Sequence, residues 1–243
     1  MRGVVLAGGT GSRLFPLTKV TNKHLLPVGR YPMIYHPVAK LRQAGVRQIL
    51  IVTGREHMGD VVNLLGSGSD FNVSFTYRVQ DEAGGIAQAL SLAEDFASRQ
   101  KVCVILGDNV FEDDLTPYVT KYSAQTRGAM VMLKAVGDPT RFGVAEVADG
   151  RIVGVEEKPK APKSDLAVTG IYFYDARVYE VVRTLKPSGR GEMEITDVNA
   201  AYMREGELEY AMFQGWWSDA GTPSSFLAAN ELAKDVEYPG FGV

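Results

Sequence analysis

The chain contains 243 residues, of which 45% are hydrophobic, 23% charged and 9% aromatic. These proportions exclude a disordered tail, a collagen and a coiled coil, and the length suffices for one α/β domain with a buried core. The 26 Lys and Arg residues are outnumbered by 29 Asp and Glu residues, which gives a formal charge of -3. Nucleic-acid binding is therefore disfavoured, and any anionic ligand requires a local cluster of basic groups.

Cysteine usage and hydropathy indicate the compartment. The one cysteine, Cys103, lies in an apolar run and has no second cysteine with which to form an internal disulfide. No stretch reaches the roughly 20 apolar residues that a membrane-spanning helix requires. We therefore expect a soluble cytoplasmic protein that is neither secreted nor bound to a membrane.

The first half of the chain alternates predicted strands with predicted helices. The strands fit residues 3–7, 48–53, 73–77 and 101–106, and the helices fit residues 32–44, 57–65 and 86–96. Such alternation predicts a parallel sheet covered by helices on both faces. Ligands of such sheets lie outside the carboxyl ends of the strands, so the residues that follow the strands are the first candidates for a site.

Antiparallel signals dominate the second half. The pair Asp149-Gly150 between apolar runs at residues 143–147 and 152–155 predicts a β-hairpin. Further strands fit residues 129–135, 167–174 and 208–213, with helices at 176–185, 195–205 and 223–233. The pattern predicts a single α/β domain over residues 1–243, in which the later segments form a substrate-binding part on a doubly wound core.

A glycine-rich turn, Gly8-Gly9-Thr10-Gly11-Ser12-Arg13, follows the first strand. Such a turn lets backbone N–H groups converge on phosphate oxygens, and Arg13 adds a bidentate charged group. The turn lacks the full dinucleotide-binding spacing and the Gly-Lys-Ser/Thr of a P-loop, so a structural turn is the alternative. Lys23, ten residues beyond Arg13, is either a second phosphate ligand or a solvated charge.

Two carboxylates follow apolar runs at separate places in the sequence. Asp108, within Gly107-Asp108-Asn109, comes directly after the strand predicted at residues 101–106, and Asp219 follows Trp217-Ser218. If they meet at one edge of the sheet, they provide the hard oxygen ligands that Mg²⁺ prefers. The alternative for Asp108 is a cap of the next helix.

Charged residues at two further positions could contact a phosphorylated sugar. In Glu156-Glu157-Lys158-Pro159, a carboxylate can accept hydrogen bonds from sugar hydroxyls and the ammonium can hold a phosphate. The alternative is a solvated strand terminus. Arg190, ahead of a predicted helix start, is either a surface charge or a second phosphate ligand.

Six ordered motifs together resemble the sugar-1-phosphate nucleotidylyltransferases, and within them the glucose-1-phosphate thymidylyltransferases. They span nearly the whole chain: residues 6–14 (LAGGTGSRL), 23–27 (KHLLP), 106–109 (LGDN), 156–159 (EEKP), 168–172 (VTGIY) and 191–197 (GEMEITD). The resemblance implies a Rossmann-like mixed sheet with an inserted antiparallel region. It also implies the Mg²⁺-assisted reaction of dTTP with glucose 1-phosphate to give dTDP-glucose and pyrophosphate, by in-line displacement at the α-phosphorus.

The resemblance also implies roles for individual residues. The nucleotide would be bound by the part at about residues 1–135, and Arg13, Lys23 and Asp108 would also be catalytic. The nucleotide-binding residues are Leu6, Gly8, Gly9, Gly11, Arg13, Lys23, Gln80, Gly85, Ile86 and Asp108. Gln80 can present both a donor and an acceptor to a base edge. The sugar phosphate would be bound by residues of the part at about 136–222 together with Asn109, and Lys158 would also be catalytic. The set is Asn109, Gly143, Glu157, Lys158, Val168 and Arg190. The metal would be held by Asp108 and Asp219.

This sequence departs from the family pattern at several points. His24 stands where many relatives have Gln, and residues 81–85 and 218–222 differ from the usual loops. The segment after Asp219 is shorter than in the long members, whose added helices contribute to a regulatory site and to oligomer packing. We therefore expect a product nucleotide to inhibit by competing at the active site, and association into a homo-oligomer is left open.

Three other functions are compatible with parts of this sequence. A uridylyltransferase would share the chemistry, since a methyl group in an apolar pocket discriminates by only about 1–3 kcal/mol. A dinucleotide oxidoreductase is suggested by the glycine turn, but the third glycine of its fingerprint is missing. A sugar-nucleotide sensor without activity is disfavoured because Arg13, Asp108, Lys158 and Asp219 are all present.

Overall fold

The computed structural model describes residues 1–241. The strands are Arg2–Ala7 (β1), Pro27–Val28 (β2), Tyr31–Pro32 (β3), Gln48–Gly54 (β4), Ser74–Gln80 (β5), Val102–Leu106 (β6), Asn109–Phe111 (β7), Ala129–Ala135 (β8), Gly143–Ala148 (β9), Arg151–Glu157 (β10), Leu166–Tyr174 (β11), Leu208–Met212 (β12) and Trp217–Asp219 (β13). The helices are Tyr35–Gln43 (α1), Met58–Leu65 (α2), Ile86–Ser91 (α3), Glu94–Ala97 (α4), Thr116–Ala124 (α5), Val178–Thr184 (α6), Ile195–Arg204 (α7) and Pro223–Ala233 (α8).

Four parallel strands form one side of a nine-stranded sheet, with β5 at its edge. β1 pairs with β4 on one side and with β6 on the other, and β4 pairs with β5. On the other side of β6, β11 pairs antiparallel with β6 and also with β8 and β9. β12 then pairs with β8, and β10 pairs with β9. The predicted mixed sheet with an antiparallel region is confirmed.

The central strands are apolar on both faces because helices cover both faces of the sheet. Val4 and Leu6 of β1 belong to one hydrophobic core cluster, and Val5 and Ala7 belong to the other. The same alternation holds in β6, where Val104 lies in the first cluster. Each fully buried valine or leucine contributes about 1.5–3 kcal/mol, so the sheet is fixed from both sides.

The helix predicted to start at Pro32 starts later, at Tyr35. Pro32 instead lies in β3, where it pairs with Pro27 of β2. The backbone N–H groups of Met33 and Ile34 donate to the carbonyls of Leu26 and His24, each at 2.9 Å, which ties the start of α1 to the segment before β2. The helical periodicity of the sequence does not reveal this pairing, because the partner strand is only two residues long.

Turn and cap chemistry places two other elements as predicted. Asp149 and Gly150 both adopt positive φ, 50° and 73°, in the hairpin between β9 and β10. α8 begins at Pro223 with a capping box, in which the Thr222 side chain accepts from the backbone of Ser225. None of the helices within residues 1–241 is long and apolar enough to cross a membrane.

The last described residues pack against α1. The ring of His36 is buried, with Nε2 3.0 Å from the Val28 carbonyl and Nδ1 2.7 Å from the Tyr238 hydroxyl. Since a carbonyl only accepts, Nε2 carries the proton and Nδ1 accepts from Tyr238. Burial lowers the pKa of His36 to about 4, so the ring is neutral at neutral pH.

This buried neutral histidine predicts a loss of stability in acid. The pKa of His36 is about 4 in the folded protein and 6.5 ordinarily, so between these values only the unfolded chain binds the proton. The free energy of unfolding should therefore fall as the pH drops through this interval, by on the order of 3 kcal/mol. In His36→Gln, which keeps a donor and an acceptor, the dependence should be shallower. Urea unfolding of both proteins from pH 4 to 7 measures this, and equal slopes would contradict it.

Candidate active site

Two adjoining cavities lie at the carboxyl ends of the parallel strands. The larger cavity, of about 460 Å³, is lined by Leu6, Gly8, Gly9, Arg13, Lys23, His24, Gln80, Ala83, Gly85, Ile86, Ala89, Leu106, Asp108, Lys158 and Glu192. All predicted nucleotide-binding residues except Gly11 are among them. Parallel strands therefore bring residues from four separate segments to one place, as expected for this class of sheet.

The smaller cavity, of about 140 Å³, lies toward the antiparallel strands. Its walls contain all the predicted sugar-phosphate residues except Arg190, together with both predicted metal ligands: Asn109, Gly143, Glu157, Lys158, Val168, Asp108 and Asp219. Arg13, Asp108 and Lys158 line both cavities. Ile86 and Leu106 also line both, so the two cavities meet at two basic side chains, one carboxylate and two apolar side chains.

The glycine turn needs its glycines for two different reasons. Gly9 and Gly11 have positive φ values of 92° and 63°, which side chains rarely adopt. A Cβ on Gly8 would lie 2.5 Å from Oε1 of Gln80, so a side chain there would displace the Gln80 amide. Gly11 supports the turn from outside the cavity, where its carbonyl accepts from the Thr18 hydroxyl at 2.8 Å.

Lys23 and Asp108 form a largely buried ion pair. Nζ of Lys23 donates to Oδ2 of Asp108 at 2.5 Å, and each side chain is 12% exposed. Burial alone would raise the pKa of Asp108, but the Lys23 ammonium and a hydrogen bond from Asn109 hold it well below its usual range. Asp108 is therefore a carboxylate throughout the neutral range.

Asp219 reaches Asp108 through a two-stranded ladder. β13 pairs antiparallel with β7, which places Asp219 opposite Asn109, and the N–H of Ala220 donates to the Asp108 carbonyl at 2.8 Å. Burial and the charge of Asp108 raise the pKa of Asp219 to about 6. Within residues 1–241, no group of three or more His, Cys, Asp or Glu side chains is arranged to hold a metal ion. A cation at this place would therefore have only Asp108 and Asp219 as carboxylate ligands among the described residues.

His24 was noted in the sequence only as a departure from the family pattern, yet it lines the larger cavity. Burial, and next the Lys23 charge, lower its pKa to about 3, so the ring is neutral. Its Nδ1 lies 2.7 Å from Oδ1 of Asn22, which also accepts the backbone N–H of His24 at 2.9 Å. Since this oxygen only accepts, Nδ1 carries the ring proton.

Glu157 is the centre of the contacts around the smaller cavity. Thr196 donates to its Oε2 at 2.6 Å, and Nη2 of Arg190 lies 3.3 Å from its Oε1. Lys158, at a positive φ of 46°, places its Nζ 3.5 Å from the same Oε1. Arg190 also donates to Glu194 at 2.8 Å, so it stands behind Glu157 and does not line the cavity itself.

The side-chain amides of Asn109 and Gln80 both form hydrogen bonds within the protein. Oδ1 of Asn109 accepts from Trp217 at 2.7 Å and from the Gly170 N–H at 2.9 Å, and its Nδ2 donates to Asp108 at 3.0 Å. Asn109 thus holds its neighbours in place. Nε2 of Gln80 donates to Oε1 of Gln88 at 2.6 Å and to the Gly85 carbonyl at 3.3 Å, and the contact of this amide with a base stays a prediction.

Several residues at the site are not among the site residues predicted from the sequence. Nη2 of Arg141 lies 3.3 Å from Oδ1 of Asp219, and Trp217 and Thr196 line the smaller cavity. A Cβ on Gly221 would lie 3.2 Å from Oδ2 of Asp108 and 3.4 Å from Nη2 of Arg13. For Trp217 and Gly221, their proximity to Asp219 in the sequence is the feature that indicates a place near the site.

Residues 2–236 match the model of the nucleotidyl transferase family. The chain therefore belongs to that family, which decides against the dinucleotide oxidoreductase alternative.

Curated relatives narrow the class further. A glucose-1-phosphate thymidylyltransferase of Neisseria meningitidis serogroup A / serotype 4A is 45% identical over 241 residues, which cover 98% of this chain and 84% of that protein. A glucose-1-phosphate thymidylyltransferase of Mycolicibacterium smegmatis is 41% identical over 240 residues, covering 98% of this chain and 83% of that protein. Both relatives are therefore similar to this chain over nearly its whole length.

Solved structures agree with the fold. A crystal structure from Bacillus anthracis, provisionally assigned as a glucose-1-phosphate thymidylyltransferase and solved in complex with a sucrose, is 60% identical. It superposes with a TM-score of 0.96 and covers 99% of this chain and 98% of that chain. A UDP-glucose pyrophosphorylase complexed with UDP-glucose has a TM-score of 0.84 at 24% identity, covers 95% of this chain and 97% of that chain, and supports the fold alone.

Asn22 is expected to hold the Lys23 segment in place. Replacing it in Asn22→Ala leaves the buried Nδ1–H of His24 without its acceptor, which should lower the free energy of unfolding by about 1–3 kcal/mol and weaken nucleotide binding. Chemical unfolding and calorimetry with dTTP measure the two effects. Asn63→Ala, at an exposed position of α2, is the matched control and should change neither. Unchanged stability in Asn22→Ala would contradict the prediction.

Proposed function

We propose that the protein transfers a thymidylyl group from dTTP to α-D-glucose 1-phosphate, giving dTDP-glucose and pyrophosphate. The observation that carries this proposal is the junction of the two cavities at Arg13, Asp108 and Lys158. Two phosphorylated substrates, one in each cavity, would meet there beside two positive charges. The names of the relatives support thymine as the base and glucose 1-phosphate as the acceptor.

The larger cavity would bind the nucleotide. The backbone of Gly8 and Gly9, with Arg13 and Lys23, would hold the triphosphate, and Gly11 would shape the turn from outside. The base and its sugar would be enclosed by the apolar side chains of Leu6 and Ile86 and by the polar groups of Gln80 and Gly85. An exposed glycine backbone and two cations at one end, and a partly apolar chamber at the other, match the two ends of a nucleotide.

The smaller cavity would bind the sugar phosphate. Glu157 can accept hydrogen bonds from sugar hydroxyls, while Gly143 and Val168 leave room for the ring. Lys158 would hold the phosphate. Arg190 would join it by exchanging its 3.3 Å contact with Glu157 for a phosphate oxygen.

We also propose a magnesium ion at Asp108 and Asp219. The donor set fits a hard divalent cation, because both carboxylates line the smaller cavity and the β7–β13 ladder places Asp219 opposite Asn109, next to Asp108 in the chain. When bound, the ion supplies charge neutralisation for the phosphates of the nucleotide. The remaining ligands would come from substrate oxygens and water.

Catalysis would then rest on positioning and charge, without a covalent enzyme intermediate. Lys158 would align the sugar-phosphate oxygen with the α-phosphorus, and Arg13 and Lys23 would stabilise the negative charge that builds up on the leaving pyrophosphate. Asp108 keeps Lys23 in place through their 2.5 Å contact. No side chain is required to remove a proton, because the attacking phosphate oxygen is already ionised at neutral pH.

The location of the protein is proposed from its cysteine. Cys103 is free and buried in the core, as fits a reducing compartment, and we propose the cytoplasm.

An activity matrix tests the function. Incubating dTTP, UTP and dCTP with glucose 1-phosphate and other hexose 1-phosphates should give pyrophosphate fastest for dTTP with glucose 1-phosphate. Asp219→Asn should reduce turnover at least about 100-fold at an unchanged fold, because it removes a proposed metal ligand. Asp108→Asn should reduce turnover as strongly and also destabilise the protein, since it leaves Lys23 without its anionic partner. A preference for UTP would move the assignment to a uridylyltransferase, and no pyrophosphate release with any pair would contradict it.

The two ends of the site should separate by binding. Lys158→Ala should weaken the binding of glucose 1-phosphate at least about tenfold, because it removes a charge-assisted contact, with a smaller effect on dTTP. Arg13→Ala should do the reverse. Calorimetry with each substrate alone measures this without turnover. Loss of dTTP binding in Lys158→Ala at unchanged sugar-phosphate affinity would show that the assignment of the cavities is reversed.

A further inference from the structure

The segment that links β12 to β13 runs from the nine-stranded sheet to the candidate active site. It consists of residues 213–216, between the end of β12 and Trp217, the first residue of β13. Two residues of β13 belong to the site, since Trp217 and Asp219 both line the smaller cavity. The ring of Trp217 also packs edge-on against Phe142, with 5.3 Å between the ring centroids. The linking segment therefore sets the point at which β13 enters the site.

Two acidic residues that follow β7 accept the backbone N–H groups of the linking segment. Oδ2 of Asp113 accepts from Gln214 at 3.0 Å, and its Oδ1 accepts from Gly215 at 2.7 Å. Oε2 of Glu112 accepts from Trp216 at 3.1 Å. The N–H of Glu112 in turn donates to the Trp216 carbonyl at 3.0 Å, which extends the pairing of β7 with β13. Asp113 thus holds the chain directly ahead of the point where this ladder begins.

A lysine holds the carbonyl groups of the same segment. Nζ of Lys134, in β8, donates to the Gly215 carbonyl at 2.6 Å and lies 3.4 Å from the carbonyls of Phe213 and Gln214. The N–H of Phe213 donates to the Leu133 carbonyl at 3.0 Å. Every backbone N–H and carbonyl group of residues 213–216 therefore has a hydrogen-bond partner, and most of these partners are charged side chains. Because hydrogen bonds to charged groups are stronger than neutral ones, the arrangement of the segment depends on these charges.

The close approach of the acidic residues to the segment depends on a glycine and on a buried lysine. A Cβ on Gly215 would lie 2.5 Å from Oε2 of Glu112 and 2.9 Å from Oδ1 of Asp113, so a larger residue would push the carboxylates away. Nζ of Lys40, in α1, donates to the Glu112 carbonyl at 2.7 Å and to the Asp113 carbonyl at 3.0 Å. The acidic residues are thus anchored to α1, while the linking segment is anchored to β8 through Lys134.

We propose that Asp113 and Lys134 are positioning residues which keep β13 in register with β7 and thereby set the affinity of the site for its divalent cation. Neither residue lines either of the two cavities, so each acts only through the backbone ahead of β13. The inference rests on the proposed function in taking Asp219 as a metal ligand. It adds that the metal requirement is controlled from outside both cavities.

The physical reason is the repulsion between the carboxylates of Asp108 and Asp219. They carry like charges and are held near each other by the β7–β13 ladder. Once Asp113 no longer holds residues 214 and 215, the start of β13 is free to fray, and the two carboxylates separate in part of the population. The apparent affinity for a cation then falls by the fraction of molecules that keep the pair together. A saturating cation concentration restores the pair, and turnover with it.

The test measures the affinity of the protein without substrates for Mn²⁺, which takes the same oxygen ligands as Mg²⁺ and whose free-ion paramagnetic resonance signal disappears on binding. Asp113→Ala should raise the dissociation constant about tenfold relative to the wild type. Lys134→Met should shift it in the same direction. Asp113→Asn, which keeps one acceptor oxygen, should lie between Asp113→Ala and the wild type. Asp219→Asn identifies the site, because it should abolish this binding.

Fluorescence reports the position of the segment independently of any ligand. The chain contains 2 tryptophans, Trp216 and Trp217, and both lie where the segment meets β13. Quenching of their emission by acrylamide should increase in Asp113→Ala and in Lys134→Met, since fraying exposes the indole rings. At saturating Mg²⁺, the turnover of both variants should return close to that of the wild type. A merely structural role would lower stability without this separation of cation affinity from turnover.

Asp114→Ala is the matched control, because it removes the same charge one position further along the chain. Asp114 accepts from the N–H and the hydroxyl of Thr116, and within residues 1–241 it forms no hydrogen bond with the linking segment. Its Mn²⁺ affinity and its tryptophan quenching should equal those of the wild type, even if the protein is less stable. Should Asp113→Ala fail to fold, as judged by circular dichroism, Lys134→Met is the second variant that releases the segment.

Unchanged Mn²⁺ affinity in folded Asp113→Ala would overturn the proposal, and so would an equal loss of affinity in Asp114→Ala. A wild-type protein whose Mn²⁺ binding does not depend on Asp219 would overturn it as well. So would a loss of turnover in Asp113→Ala that saturating Mg²⁺ does not restore. If the affinities shift as expected but no dTDP-glucose forms from dTTP and glucose 1-phosphate, the proposed function fails while the positioning role of Asp113 and Lys134 stands.

Discussion

The ion pair between Lys23 and Asp108 holds the two halves of the site together. Lys23 lies in the segment that follows the glycine turn, whereas Asp108 follows β6, and both side chains are largely shielded from water. A charge left alone in such surroundings would cost several kcal/mol, so neither segment can move without the other. Asp108 is already partnered by Lys23, which leaves Arg13 and Lys158 as the other cations at the junction of the cavities. This division of the three cations, with Lys23 paired to Asp108 and the other two at the junction of the cavities, depends on the single 2.5 Å contact between Lys23 and Asp108.

A second constraint is the short ladder between β7 and β13. It ties Asp219 beside Asp108 and places Trp217 where its ring nitrogen reaches Asn109. Asn109 in turn donates to Asp108, so three side chains and two strands share one hydrogen-bond network. The carboxylate pair is thereby kept close in spite of its mutual repulsion.

Much of the architecture could be predicted because it is written in local patterns. Residues 3–7 of β1 and the whole of β6 are apolar, as is typical of strands buried on both faces, and Asp149-Gly150 specifies its hairpin by backbone preference. That the residues after those strands lie at the site could be predicted from the general geometry of parallel sheets. Elements of two or three residues, such as β3 at Pro32 and the β7–β13 ladder, have too few positions to show a period. Side-chain roles were harder still: the orientation of the Gln80 amide depends on Gln88 and on a backbone carbonyl, neither of which a sequence pattern reveals.

The contact between His36 and Tyr238 bears on how the chain acquires its structure during synthesis. These residues are separated by 202 positions, and the imidazole of α1 receives its hydroxyl donor only from the last part of the chain. While the ribosome is still translating the antiparallel region, α1 can form, but its buried ring nitrogen lacks a partner and the aromatic residues around Tyr31 lie open. Packing around α1 is therefore complete only after Tyr238 and Phe241 have been synthesised, and until then this aromatic surface is open to chaperones.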